Sequence, residues 1–503
     1  MEIEHEVKFA LASGQADALL ESRCIRDAAC GARRHRPVNS TYYDTRKHRL
    51  RKAGCALRVR VAGDRVEQTL KFATAGPAGM QNCEEWTVAL DSGQPDMSAF
   101  DDRVLRHFRK QGRGLTLRPL FTTEIERCSQ LLQWGETRFE MAVDRGRIRA
   151  HAGSGGTLPV GEAEFELIDG APLPMFDFLL ELITEVDLLP LASSKARRGY
   201  TLAWPALGKA ATKAEKVGID KRMTVGAAFQ HIANEALRHL FANMDATAEG
   251  QAEALHQSRV AIRRIRAALV AFRGVLPRQP RRDFNDAFRR VQTALSPARD
   301  WYVFGSETLP ALNAAGAAGS AALGRLETVA REEERLSTGQ AAAALRTRDF
   351  ATLLLRFQRW LLLLEREQTG PLAGKVKPFA RQVLTASRRD LLADPRPLGR
   401  MKEQERHGLR KRGKKARYAM EFFAGLWHGK DVTRYLKSMA RLQDRLGVTN
   451  DAVVARDLVG GAEAIRPSDR RKVEAWSRER EEQCMKAAQP TWRRVQKLEP
   501  FWR

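Results

Sequence analysis

Through about residue 170 the chain alternates apolar and polar residues in short runs, broken by Gly, Pro and Asp at GDR, AGPAG, DSGQP and HAGSGG. A period of two with such breaks predicts β-strands joined by loops. The alternation also assigns faces. The first strand sets Glu2, Glu4, Glu6 and Lys8 against Ile3, Val7 and Phe9. ALRVRV sets Arg58 and Arg60 against Leu57, Val59 and Val61, and TLKF sets Thr69 and Lys71 against Leu70 and Phe72. EWTVAL opposes Glu85 and Thr87 to Trp86, Val88 and Leu90, and RFEMAVD opposes Arg138, Glu140 and Asp144 to Phe139, Met141 and Val143. GEAEFEL places Glu162, Glu164 and Glu166 opposite Ala163, Phe165 and Leu167. Two stretches, about 14–30 and 172–190, have helical period instead.

WPALGKAATKAEKVG then reads as a linker, and from about 219 almost everything has helical period, punctuated by Pro and Gly. The Ala/Gly run 313–323 fits either a loop or a poorly packed helix. The expected organisation is α+β: a β-rich domain over 1–205, a linker over 206–218 and an all-α helical bundle over 219–503.

The polar faces of the six strands carry clustered charge of one sign. Three successive glutamates on one face repel unless a cation sits among them, and neighbouring Arg58 and Arg60 call for an anion. An antiparallel β-barrel with a charged lumen and an apolar outside covered by the two helices meets both demands. Facing carboxylates would hold a hard divalent ion, Mg²⁺ or Mn²⁺, through oxygen. Lys and Arg would hold phosphate oxygens. The inferred ligand is a metal-bound chain of phosphates.

Composition sharpens this picture at one point. The chain has a net charge of +25, yet residues 1–200 carry 29 basic and 28 acidic side chains against 57 and 33 in 201–503. A polyanionic partner is therefore expected for the second half. That half also repeats itself at an offset of 151: His256, Arg259, Arg263 and Arg266 align with His407, Arg410, Lys414 and Arg417. Phe272/Phe423, Gln292/Gln443, Leu295/Leu446 and Asp300/Asp451 keep the same offset. Each set of four falls within a sector of about 80° on a helix, a cationic stripe, with Ala261, Ile262, Ile265 and Leu269 (or Leu409, Gly413, Ala416 and Met420) on the other side. Two copies packed about a pseudo-twofold axis would form one anion-binding surface.

Several classes are disfavoured. There is no run of about 18 apolar residues, so no membrane partner is expected. MEIEHEVKF lacks the basic and apolar regions of a secretory signal, and the six cysteines form no CxxC pair, which suits free thiols in a reducing cytoplasm. No Gly-rich phosphate loop argues against a Walker-type NTPase. The stripes lack interleaved aromatics apart from Tyr418, which disfavours nucleic acid.

Glu4-His5-Glu6-Val7-Lys8 matches the ExExK signature of CYTH proteins, the triphosphate tunnel metalloenzymes. YYDT (42–45), LRKAGCALRVR (50–60), TLK (69–71), RPLFTTEIER (118–127), AVDRG (142–146), EAEFEL (162–167) and SKARRGY (194–200) follow in the family's order, so residues 1–203 resemble that family. One departure is Asn82-Cys83-Glu84, where relatives carry an Arg. The resemblance implies Glu4, Glu6, Glu164 and Glu166 as metal ligands, with Glu162 a weaker candidate. It implies Lys8, Arg58, Arg60, Lys71, Arg127 and Lys195 as phosphate contacts, and Arg51, Glu85, Glu140, Asp144 and Arg198 as groups that orient them. HxxRVxxRRxR and HxxRKxxKKxRY, with LSPARD and LGVTND, resemble the paired signatures of CHAD domains over about 220–500. That family implies inorganic polyphosphate as a partner and polyphosphate granules as a location besides the cytoplasm. Together the resemblances imply a metal-dependent hydrolase of inorganic triphosphate, releasing pyrophosphate and phosphate, fused to a polyphosphate-binding domain. The alternatives are a hydrolase of organic triphosphates and a weakly active polyphosphate-granule binder.

Overall fold

The structure, a computed structural model, describes residues 2–12, 14–62, 65–75, 81–101, 115–151, 155–205, 211–367 and 369–503, without the side chains of 2–4, 62, 73–75 and 81–83. The chain divides into two compact units. One comprises Met1–Thr212, Phe241–Ala246 and Leu345–Leu363; the other comprises Lys213–Leu240, Thr247–Ala344 and Leu364–Arg503.

Among the described residues the first unit is built on nine antiparallel strands: β1 (Glu2–Ala10), β2 (Arg34–Thr45), β3 (Cys55–Ala62), β4 (Arg65–Ala75), β5 (Gln81–Ala89), β6 (Leu117–Trp134), β7 (Thr137–Ala150), β8 (Thr157–Asp169) and β9 (Leu189–Pro190). Three of these, β2, β6 and β9, lie outside the six runs read as strands. β6 buries residues from both faces, including Leu120, Phe121, Ile125 and Leu132, and so loses the alternation that marks a half-exposed strand.

The expected closed barrel is corrected by the pairing. The strands form one nine-stranded sheet in the order β5-β4-β3-β2-β6-β7-β8-β1-β9. β1 does not serve as a barrel strand paired along both edges. Its residues 2–6 pair with β5 and its residues 6–10 with β8, so only Glu6 meets both of these strands, and Phe9 and Ala10 pair with β9 as well as with β8. A uniform cylinder needs a strand bonded on both sides over its length; here the contact with β5 is an additional, offset pairing at the end of a sheet that runs on to β9.

Alternation and register nevertheless concentrate charge on one face. β8 sets Glu162, Glu164 and Glu166 on that face, opposite Ala10, Lys8 and Glu6 of β1 and Asp144, Ala142 and Glu140 of β7. The other face of β8 is apolar. Phe165 is fully buried, and Phe139 and Phe165 meet Phe178 of the helix Pro172–Glu185 with ring centroids 5.0 and 6.2 Å apart. Packing three phenylalanines on that side leaves the carboxylates the opposite one.

The second unit is helical. Helix Ala252–Ala271 packs on Glu403–Phe423, and Ser296–Val303 packs on Lys430–Gly461. The repeat partners Phe272 and Phe423 touch each other, ring centroids 5.7 Å apart, within a cluster completed by Phe229 and Phe379. The copies differ at one place. The second has a continuous helix over Lys430–Gly461, whereas the first breaks at Leu295 into Arg278–Ala294 and Ser296–Val303. Pro297 stands where the second copy has Val448; a proline lacks the N–H that helix continuation needs and is accommodated in the first turn of a new helix. The Ala/Gly run resolves into the end of helix Leu309–Ala314, a turn, and the start of helix Ser320–Leu345.

Candidate functional site

The charged face of the sheet unit encloses a cavity of about 360 Å³. Glu6, Lys8, Arg58, Arg60, Lys71, Arg127, Glu164, Glu166 and Lys195 all line it, as do Arg51, Glu85, Glu140 and Asp144. The side chain of Glu4 lies outside the described part of the structure; its backbone pairs with Cys83. Glu162 and Arg198 sit behind the lining, paired with each other. Arg36 and Arg197 also reach the cavity and were not expected there.

Its centre is an ion-pair network. Lys8 Nζ lies 2.9 Å from both Glu6 Oε1 and Glu164 Oε1. Lys195 Nζ lies 3.0 Å from Glu164 Oε1 and 2.6 Å from Asp144 Oδ2, and it also pairs with Glu162. Arg127 donates to both oxygens of Asp144 and, at 2.9 Å, to Glu164 Oε2. Lys71 pairs with Glu85 across β4 and β5.

The local electrostatics follow from burial against charge. Burial alone would raise Glu164, but Lys195, Lys8 and Arg127 hold its carboxyl well below the usual range. Burial would lower Lys8 and Lys195; the carboxylates led by Glu164 outweigh it and hold both above an ordinary lysine. Glu6 behaves oppositely: burial raises its carboxyl despite Lys8. Burial, with Arg58 and Arg127 nearby, pulls Arg60 down to about 10. Arg58 lines the cavity, and its Nε is buried with no hydrogen-bond partner among the described residues.

Asp144, Glu162 and Glu164 present carboxylate oxygens within 4.8 Å of one another, a cluster able to hold a divalent cation. Three oxygen ligands from rigid strands suit a hard ion such as Mg²⁺ or Mn²⁺. The cluster shares Glu164 with the expected ligands and draws its other two members from residues given a lesser role. Register explains the exchange, because Glu162 lies opposite Asp144 and Glu166 lies opposite Glu140.

Lys195 comes from the helix Lys195–Ala203, capped by Ser194, whose hydroxyl accepts from Arg197 N at 3.2 Å. That helix sits against β6 because residue 199 is glycine; a Cβ there would overlap the Phe121 ring. Its Tyr200 donates to Asp44 Oδ2 at 3.2 Å. Asp44, wholly buried, also accepts from Leu50 N and Arg51 N at 3.0 Å, which ties the short helix Arg49–Lys52 to the same point. Asp44 belongs to YYDT, yet besides the adjacent Thr45 its partners Leu50, Arg51 and Tyr200 are 6, 7 and 156 residues away, beyond the reach of a periodicity reading.

In the helical unit the two stripes meet around a second cavity, of about 650 Å³. His256, Arg259, Arg263 and Arg266 line it from one copy, and His407, Arg410 and Lys414 from the other. Arg417 does not join them; its Nε donates to Glu421 Oε1 at 2.7 Å. Asp300 and Asp451 open onto the same space, with Arg299 and Lys411 as further cations. Arg259 donates to the carbonyls of Leu295 and Ser296, at 3.1 and 2.7 Å, at the break before Pro297. Burial, then Arg410 and Arg263, pushes Lys414 down to about 7. Burial and Arg299 push His256 down to about 4, so it is neutral at pH 7.

Two family models match the chain, the CYTH domain over residues 2–200 and the CHAD domain over 231–460. An inorganic triphosphatase of Haemophilus influenzae is 33% identical over 165 residues, which are 33% of this chain and 46% of that protein, so the chain spans about half the length of this relative. Among solved structures, the CHAD domain from the plant Ricinus communis is similar at 28% identity and a TM-score of 0.44, covering 58% of this chain and 93% of that one. An adenylyl cyclase-like protein from Hippeastrum, reported with a dominant triphosphatase activity, is similar at 17% identity and a TM-score of 0.29, covering 39% and 93%. No helix among the described residues is long and apolar enough to cross a membrane. With the order of motifs and both family matches in agreement, the chain belongs to the proteins that carry a CYTH domain followed by a CHAD domain.

Proposed function

We propose that the sheet unit hydrolyses inorganic triphosphate to pyrophosphate and phosphate with Mg²⁺ or Mn²⁺, and that the helical unit binds inorganic polyphosphate. The observation that carries the first part is the single cavity in which Lys8, Arg58, Arg60, Lys71, Arg127 and Lys195 surround a cluster of carboxylates. The likeness to the Haemophilus influenzae triphosphatase, over 165 residues, supports it.

In this reading Glu4, Glu6, Glu164 and Glu166, with Asp144 and Glu162 beside them, hold the metal, which supplies Lewis-acid activation of the attacking water and of phosphate oxygens. The basic side chains neutralise and orient the phosphate chain in line for attack. Water adds to a terminal phosphorus, its proton passes to a carboxylate, and the bond to the bridging oxygen breaks. Arg58 and Arg60 stabilise the charge that collects on the departing pyrophosphate. In the second part of the proposal, the stripe residues that line the cavity of the helical unit, His256, Arg259, Arg263, Arg266, His407, Arg410 and Lys414, form the polyphosphate surface, and Arg417, paired with Glu421, stands outside it. The protein is then cytoplasmic and associates with polyphosphate granules.

The test is phosphate release from triphosphate, longer polyphosphates and nucleotides, with Mg²⁺ and Mn²⁺ assayed separately. Preference for an organic triphosphate would replace the inorganic substrate, and no release from any of them would end the hydrolytic reading.

A further inference from the structure

The first unit takes in a segment, Phe241–Ala246, from within the helix Val225–Ala248. Three residues of that segment grip the chain around the helix Lys195–Ala203. Asp245 Oδ2 accepts from the amide of Ser193, at 2.7 Å, and from its hydroxyl. The carbonyl of Ala242 accepts from Arg197 Nη2 at 2.6 Å. Asn243 exchanges two hydrogen bonds of 2.9 Å with the backbone of Thr212. The segment also closes on β1, because Phe241 and Met244 share with Lys8 and Leu191 a cavity of about 40 Å³. Leu191 N in turn donates to the carbonyl of Lys8 at 3.3 Å.

The grip falls at the end of the helix that enters the site. Gly199 and Tyr200 fix the second half of the helix against Phe121 and Asp44. Its first residue is Lys195, whose ammonium lies 2.6 Å from Asp144 and 3.0 Å from Glu164. Ser194 caps the helix through Arg197 N, a bond internal to that first turn. Ser193 is buried, and Asp245 takes both its amide and its hydroxyl, which fixes the position and the direction of the backbone entering the helix. A reacting group misplaced by about 1 Å can lose about 10²-fold in rate, so a hold two residues before Lys195 bears on the chemistry.

We propose that Asp245 is a positioning residue for triphosphate hydrolysis: by holding Ser193 it sets where Lys195 delivers its ammonium. The proposal rests on the hydrolytic reading of the sheet unit. Phosphate release from triphosphate by the full chain, with Mg²⁺ or Mn²⁺, tests it. Asp245→Ala should lower kcat/KM about tenfold. In a Lys195→Gln background the same substitution should cost less than about twofold, because the side chain it places has lost its charge. Should Asp245→Ala misfold, Ser193→Ala, which removes one of the two hydrogen bonds, enters the same cycle; it should lower kcat/KM when Lys195 is present and leave it unchanged in the Lys195→Gln background. Unaltered kcat/KM in both variants, or the full loss repeated without the Lys195 charge, overturns the proposal and leaves Asp245 a structural contact. No release by the unaltered chain strikes the hydrolytic reading itself, and the proposal falls with it.

Discussion

Arg127 and Asp144 face each other across β6 and β7 and share two hydrogen bonds of 2.7 Å, Nε to Oδ1 and Nη2 to Oδ2. Asp144 is wholly buried; without Arg127 it keeps Lys195, and without Asp144 the arginine keeps Glu164, so each single variant loses two charge-assisted hydrogen bonds. Arg127→Ala and Asp144→Ala should each cost about 1.5–3 kcal/mol of unfolding free energy, measured in urea. The double variant should cost less than the sum, because both single variants lose the same two hydrogen bonds. Additive losses would show that the pair does not act as a unit.

Glu164 touches Lys8, Lys195 and Arg127 at once. Glu164→Gln keeps the shape and removes the charge. Triphosphate turnover should fall by about 10²-fold or more at saturating metal, with a rise in the metal concentration needed for half activity. Turnover and metal dependence equal to those of the unaltered protein would exclude Glu164 from the reaction.

Gly199→Ala places a methyl group on the Phe121 ring. Overpacking of this kind costs about 1–3 kcal/mol, and the displaced helix carries Lys195. Thermal unfolding should move down and triphosphatase activity should fall with it. A variant of normal stability would mean that the helix can shift freely, against the reading of residue 199 as a contact point.

Lys414 titrates near 7 in the helical unit, well below an ordinary lysine. A bound polyanion favours its charged form, so binding takes up a proton above that pH and weakens as pH rises from 6 to 8. Calorimetry in buffers of different ionisation enthalpy should register the proton, and Lys414→Arg should flatten the pH dependence. An unchanged profile in that variant would assign the dependence to another group.

Polyphosphate binding should fall steeply with salt, since it rests on release of counterions. Reversal of Arg263 together with Lys414, one from each copy's stripe, should weaken it far more than reversal of the exposed Arg471 and Arg493. Equal losses would reduce the helical unit to a general electrostatic attractor.

Much of this was legible along the chain. Alternation places Glu162, Glu164 and Glu166 on one face of a strand and Phe165 on the other, because the side-chain period of a strand is two and burial selects one face. The offset of 151 pairs Phe272 with Phe423 and joins two cationic stripes, because helical spacing is local and a repeat preserves it. Tertiary structure alone decided the rest. Which carboxylates meet depends on register, so Asp144 and Glu162 joined Glu164 while Glu166 aligned with Glu140. The sheet runs on to β9 with an offset contact at β5, an outcome of strand lengths and stagger that alternation does not encode. Arg417 turned to Glu421 and Arg259 to the carbonyls before Pro297, because a long side chain follows its nearest partner. Asp44 holds two helices that lie far apart in the chain, and only folding brings their N–H and hydroxyl groups to one buried carboxylate.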